Sequence, residues 1–256
     1  MSTLLSTIRD LHRRKARERR ALALAEGVRL VEEALAAGVA IKGAAIAPAL
    51  EGTARGQALK AALTARSVPL ELVTDAELVE LADTEHPQGV VAVTAPRAWS
   101  LADIHATREH PVLVLDGVQD PGNVGTIART ALALGAAGLV ALPGTADLLN
   151  PKALRGSMGA LFRVPAVHAS DAECLDWLTS KGIALWATDT AGEDVRRIGP
   201  PTAPVALLLG NEGAGIRADL LAGGVRRVSI PIAPQAESLN VAVAAGILLH
   251  EVTRGR

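Results

Sequence analysis

The chain has 256 residues, 49% of them hydrophobic, and a net charge of −1, so it can bury a sizeable core in one large or two small domains and gives no global sign of a polyanionic partner. One cysteine, Cys174, excludes a disulfide framework or a cysteine-based metal site within the chain, and six scattered histidines without HExxH-type spacing leave no metal centre to expect. Three Trp, one Phe and no Tyr exclude an aromatic platform for stacking single-stranded bases, and apolar stretches that are short or broken by Gly and Pro exclude a signal peptide or a membrane span, so a cytoplasmic protein is expected.

In chain order, residues 3–25 read as polar, then helical. Within them 9–20, RDLHRRKARERR, hold seven Lys or Arg against two acids, a local patch of the kind phosphates attract; a solvated helix accounts for the run as well. EGVRLVEEALAAG (26–38) places Val28, Val31 and Leu35 at helical spacing and stops at Gly38. A short strand (IKGAAIAP), a helix (ARGQALKAALTARS), a strand (PLELVT), a short helix opened by a capping Asp75 and a β-branched strand (89–95) complete a small α/β unit over 1–95. Residues 96–110 read as a linker. From 111 to 256 strands are expected at 112–117, 138–142, 164–167, 183–188, 204–209 and 226–232, with helices between most of them. Runs such as VLVLDGV and VALLLG are apolar on both faces, as central parallel strands are, so this domain reads as α/β with helices on both sides of a sheet.

Three strand–turn–helix junctions in the second half carry polar groups. In LDGVQDPGNVGTIARTALALGA (115–136), Asn123 stands at the helix mouth and Arg129 nearly two turns inside. A cap and a solvated charge explain the pair; so does a ligand site, because open α/β sheets bind ligands at such strand ends. LLLGNEGAGI (207–216) brackets Asn211 and Glu212 between glycines; it is neither GxGxxG nor GxxxxGK[ST], so no phosphate cradle is indicated. In VSIPIAPQAESLNVAVAAGILLHEVTR (228–254), Ser238 is a plausible cap and Asn240 follows it, ahead of a uniformly apolar helix that reads as buried.

DPGNVGTIART, LLLGNEGAGI and IPIAPQAESLNVAVAAGILLHE resemble the three motifs of the SpoU (TrmH) family of RNA ribose methyltransferases, within the SPOUT superfamily. NPKALRGSMGALFRVP (150–165) resembles the same family, and RRKARERRALALAEGVRLVEEAL resembles its ribosomal-protein-like substrate-binding domain. The resemblance implies a C-terminal α/β domain whose last segment forms a deep trefoil knot, contrary to the usual absence of knots. It implies a homodimer with the last helix at the interface, and S-adenosylmethionine held largely by backbone groups. Gly210, Ile230 and Leu239 match the family's cofactor contacts, with Thr188, Asp189, Glu212 and Ser238 expected nearby. The implied activity is 2′-O-methylation of a ribose in 23S rRNA, without a metal. Alternatives are a tRNA 2′-O-methyltransferase and an RNA-binding ribosome-assembly factor whose catalysis is dispensable.

By motif position Arg129 matches the family's proposed base. A guanidinium keeps its proton at neutral pH, so a role in holding phosphate and developing alkoxide charge fits the chemistry better. Asn123 is expected to orient the ribose or Arg129, and Glu212, Ser238 and Asn240 to fix loops or substrate. RNA contacts are expected from Arg13, Arg14, Lys15 and Arg17, and from Arg155 in the bridging segment.

Overall fold

Apolar runs and amphipathic helices sort the chain into two compact units, residues 1–98 with 149–162, and residues 99–148 with 163–256. The computed structural model describes residues 3–222 and 225–254.

In the first unit α1 (Leu4–Leu11) and α2 (Arg14–Arg20) lead into β1 (Ala23–Glu26), α3 (Val28–Ala36), β2 (Ala40–Ile46), α4 (Ala54–Ala65), β3 (Leu70–Leu72), α5 (Asp75–Leu81) and β4 (Val90–Ala95). The sheet order is β1-β4-β2-β3, with β4 antiparallel to both neighbours and β3 parallel to β2. Ile8, Leu11, Leu24, Val91 and Val93 are among the residues of its core. Two expectations change here. The helical reading of 3–25 ends in β1, whose Ala-Leu-Ala-Glu contains no β-branched residue. All four residues are buried, and pairing from Ala23 opposite Thr94 to Glu26 opposite Val91 decides their conformation; tertiary pairing outweighs local propensity. The cap of α5 is Thr74, not Asp75. Thr74 Oγ1 accepts from Glu77 N at 3.2 Å, and the Glu77 carboxylate accepts from Thr74 N at 2.8 Å, a reciprocal capping box. The Asp75 carboxylate instead accepts from Ala49 N at 3.1 Å.

The second unit begins before its first strand. Ile104, inside the expected linker, is 4% exposed and belongs to the core, because an isoleucine next to a sheet end is more stable packed than solvated. β5 (Val112–Leu115), α6 (Pro121–Ala133) and β6 (Gly138–Ala141) follow. The chain then contributes α7 (Pro151–Ser157) to the first unit, although 149–162 was expected in the C-terminal domain. It is held there by Arg155, whose Nη1 and Nη2 reach Glu26 at 3.1 Å and Asp83 at 2.6 Å. The second unit resumes with β7 (Ala166–His168), α8 (Asp171–Ser180), β8 (Ala184–Asp194), α9 (Val195–Ile198), β9 (Val205–Leu209), β10 (Arg226–Ser229) and α10 (Val241–Val252).

Its strands are all parallel, in the order β10-β8-β9-β5-β6-β7. β5, β6 and β9 are buried along their whole length, as the two-sided apolar runs required. From β5 the chain winds outward through β6 and β7, then crosses to β8 on the other side, returns inward to β9 and ends at the edge strand β10. The carboxyl ends of β5 and β9 therefore flank the reversal of strand order, where open α/β sheets form a crevice.

Cys174, on α8, is 1% exposed. Burial, with the nearby Asp171 charge adding to it, pushes its thiol up to about 12, so almost no thiolate exists at pH 8. The native protein is expected to be inert to a thiol reagent at pH 8 and to react with one equivalent in denaturant. Fast reaction of the folded protein would contradict this placement.

Candidate active site

After β9 the backbone folds back so tightly that residue 210 must be glycine. A Cβ there would lie 2.4 Å from the carbonyl carbon of Gly215 and 2.6 Å from Ile216 N. Asn211 and Gly215 close the loop with reciprocal backbone hydrogen bonds of 2.9 and 3.0 Å. Asn211 Oδ1 accepts from Gly213 N and Ala214 N, both at 2.9 Å, while its Nδ2 donates to Gly117 O at 2.7 Å. The loop is thus tied to the turn after β5. A second tie follows at Arg217. Its backbone N and Nε donate to Asp116 at 2.8 and 2.7 Å, and its two terminal nitrogens grip Asp171 at 2.9 and 2.7 Å. These hydrogen bonds, to Asp171 first and Asp116 next, outweigh burial and hold the guanidinium's proton more tightly than usual.

Asp120, not Asn123, caps α6: its Oδ1 accepts from Gly122 N at 3.0 Å, with Pro121 at the first helical position. Asn123 is therefore free to face the neighbouring loops. Its Nδ2 donates to Glu212 Oε1 at 2.9 Å, and its Oδ1 accepts from Asn240 Nδ2 at 3.0 Å. Glu212 also accepts from Gln119 N at 3.2 Å and Asp120 N at 3.5 Å. All three motifs meet in this chain of side chains. Asn240 is the cap of α10, its Oδ1 accepting from Ala242 N at 2.9 Å. Ser238, the expected cap, lies two residues before the actual cap and lines the adjoining pocket.

Burial raises the Glu212 carboxyl, but hydrogen bonds from Asn123 and the amides of Gln119 and Asp120 together bring it below the usual glutamate value of 4.5. Its contribution to stability is therefore fully present above 4.5 and is lost as pH falls through the lower folded value. Glu212→Gln is expected to lower the thermal midpoint at pH 7, with the gap to the parent protein closing as pH falls below 4.5. A gap that stays constant across that range would show the carboxylate to be uncoupled from the fold.

Beside this network lies a pocket of about 650 Å³ at the carboxyl ends of β8, β9 and β10. Thr188 and Asp189 of β8 line it, with Gly210 and Glu212 from the loop after β9. Ile230, Ser238, Leu239 and Asn240 line it from the segment entering α10. Ile216, Ile232 and Leu248 provide apolar wall. Three acidic residues, Asp189, Glu212 and Glu237, are among its lining residues, Asp189 paired with Arg227 at 3.1 Å, and no Lys, Arg or His is among the described lining residues. Such a site suits a cationic or neutral organic ligand and disfavours a polyphosphate. No group of residues suited to hold a metal occurs among the described residues.

The structure brings Asn123, Glu212 and Asn240 together and leaves Arg129 apart. α6 is regular from Pro121 to Ala133, so six residues of advance turn Arg129 about 120° away from Asn123 around the axis. Arg129 is exposed, and no described residue pairs with it. Within the basic run, Arg17 cannot take its expected role. Arg17 is 3% exposed, with Nη1 donating to Leu11 O and His12 O, both at 2.8 Å; a buried guanidinium occupied by backbone carbonyls cannot meet RNA. Arg13 is paired with Asp10, and Arg14 with Glu18 at 2.7 Å, while Lys15 is exposed. Arg155 braces α7 against Glu26 and Asp83. Sequence reasoning missed Asp116, Arg217 and Asp171 as builders of the site. The charge of Asp116 inside VLVLDGV was a usable sign; Arg217 and Asp171 had none, being distant in sequence from what they bind.

Residues 110–250 match the model of the SpoU rRNA Methylase family, and residues 5–92 that of the MRM3-like substrate binding domain. A 23S rRNA (guanosine(2553)-2′-O)-methyltransferase of Bacillus subtilis is 34% identical over 244 residues, covering 95% of this chain and 93% of that one. The AdoMet-bound rRNA methyltransferase from Sinorhizobium meliloti superposes with a TM-score of 0.85 at 34% identity, covering 99% of this chain and 97% of that one. The SpoU methyltransferase AviRb from Streptomyces viridochromogenes, solved with AdoMet, gives a TM-score of 0.86 at 32% identity, with coverage of 99% and 98%.

Proposed function

The chain belongs to the SpoU rRNA Methylase family, and we propose that it is an S-adenosylmethionine-dependent RNA methyltransferase acting on a ribose 2′-hydroxyl of 23S rRNA. The observation that carries this reading is the pocket formed at the ends of β8, β9 and β10, with three carboxylates and no cation among its described lining residues. A nucleoside sulfonium fits that chemistry: the apolar residues Ile216, Ile232 and Leu239 suit a purine face, and the acids suit the positive sulfur and the amino group.

Bound S-adenosylmethionine supplies an electrophilic methyl group for in-line displacement. What the chain must supply is alignment of the hydroxyl and a place for the charge its oxygen develops. The low Glu212 carboxyl makes it a poor base and a good anchor, so its role is to fix the Asn123 amide. Asn123, held from the other side by Asn240, orients the ribose. Arg129 binds an adjacent phosphate and stabilises the emerging alkoxide. Leu132, Val243 and Leu239 are exposed apolar residues on α6, on α10 and just before it, and they support association with a second copy as a homodimer. The reading includes the family's trefoil knot and a cytoplasmic location; no described helix is long and apolar enough to cross a membrane.

The test combines calorimetric titration of the full chain with S-adenosylmethionine and mass-spectrometric mapping of 2′-O-methyl groups in deproteinised 23S rRNA before and after incubation. Binding together with a new methylated ribose is expected. Binding with methylation confined to tRNA would correct the substrate, and absence of both would overturn the reading.

A further inference from the structure

The cationic run in α2 is largely internally paired, yet the first unit holds a second set of polar groups around a cavity of about 650 Å³. Its floor is rigid. Glu26, 6% exposed, accepts from Asp83 N at 2.9 Å, Thr84 N at 3.2 Å, the Thr84 hydroxyl and Arg155 Nη1 at 3.1 Å. One buried carboxylate therefore fixes both the 83–84 turn and α7. Gln88 Oε1 accepts from Val28 N at 3.3 Å and anchors the other end of the same loop. Gly27 makes this approach possible: its φ is +89°, and a Cβ would come within 3.1 Å of Gln88 Oε1.

The rim differs from the floor. Arg29, Glu85 and His86 line the cavity, are exposed, and have no partner among the described residues. Elsewhere in this unit Arg14 and Arg55 each face a carboxylate, and Arg13, Arg19 and Arg20 share that of Asp10. Met158, the left-handed C-cap of α7 at φ +51°, lines the cavity. Met158 and Leu30 offer a soft apolar wall beside free positive and negative groups.

We propose that this cavity is a subsite for a single unstacked nucleotide of the RNA substrate. The base lies against Met158 and Leu30, the Glu85 carboxylate accepts from its edge, and Arg29 and His86 meet its phosphate. A carboxylate accepts two adjacent donors best, and guanine presents them on its Watson–Crick edge, so guanosine is the preferred occupant. The subsite rests on the RNA methyltransferase reading and places a sequence-reading contact in the first unit itself.

The test uses the full chain, deproteinised 23S rRNA, and the variants Met158→Gly, Arg29→Ala and Glu85→Gln. Met158→Gly removes the wall while easing the backbone, so a purely structural methionine predicts unchanged RNA binding and an equal or higher thermal midpoint. The subsite predicts that midpoint together with RNA affinity about tenfold weaker, and similar losses for the other two variants. Arg29→Ala also lowers the salt dependence of binding by about one unit of log–log slope. S-adenosylmethionine affinity stays at the parent value in every variant, so absence of cofactor binding by the parent protein counts against the enzyme reading and not against the subsite. Unchanged RNA affinity in Met158→Gly and Arg29→Ala overturns the proposal. So does binding of free guanosine monophosphate that these variants lose while RNA binding persists, because the cavity then serves a free nucleotide.

Discussion

Arg129→Ala loses about 10²–10³-fold in the rate of methyl transfer at saturating cofactor, with a thermal midpoint and S-adenosylmethionine affinity indistinguishable from the parent protein. The separation follows from where the residue stands. It is exposed on α6, pairs with no described residue, and does not line the cofactor-sized pocket. Substitutions at such positions change stability by less than about 0.5 kcal/mol. Under the proposed mechanism, what the variant loses is a positive fork for the phosphate and the forming alkoxide. Arg129→Lys recovers only part of the rate, since an ammonium is a point charge without the guanidinium's paired donors. Single-turnover kinetics and calorimetry check both halves. A full rate in Arg129→Ala removes the residue from the chemistry, and a collapse of cofactor affinity moves it into the pocket.

Arg217→Met destabilises the fold by about 2–3 kcal/mol and weakens cofactor binding at the same time. Asp116 is 1% exposed, and loss of the side chain leaves its carboxylate with the Arg217 backbone N–H as its one remaining donor among the described residues. Breaking a buried pair costs about 3–5 kcal/mol; the Arg217 side chain is 40% exposed, so water screens part of that. The cofactor effect arises because Arg217 ends the 210–216 loop, whose residues line the pocket. Asp116→Asn combined with Arg217→Met recovers most of the stability, since a neutral amide tolerates the site better than an unpaired charge. Urea unfolding of the two single variants and the double variant measures the coupling. Additive losses would show that the pair acts independently.

The parallel strands of the second unit were legible because central strands buried on both faces must be continuous apolar runs, as VLVL and VALLL are. β1 was not, because Ala23–Glu26 has no strand signature of its own and takes its conformation from β4. Caps were half legible. Polar residues cluster at helix mouths, but which of Asp120 and Asn123, Thr74 and Asp75, or Ser238 and Asn240 accepts the first-turn amides depends on where the backbone turns into the helix. That choice has consequences at the site: because Asp120 takes the capping role, Asn123 is left to bridge Glu212 and Asn240.

The sequence by itself determined the family, the α/β class of both halves and the three motifs, since each depends on residue type at short spacing. Only the tertiary structure decided which groups those motifs present to a ligand. It paired or buried most of the basic run near Arg13 and Arg17 and used Arg155 to brace α7. It also joined Arg217 to Asp116 and Asp171 across 101 and 46 positions of chain. Side-chain hydrogen bonds act over about 3 Å in space and carry no signature along the chain, so these pairings appear only once the chain is folded.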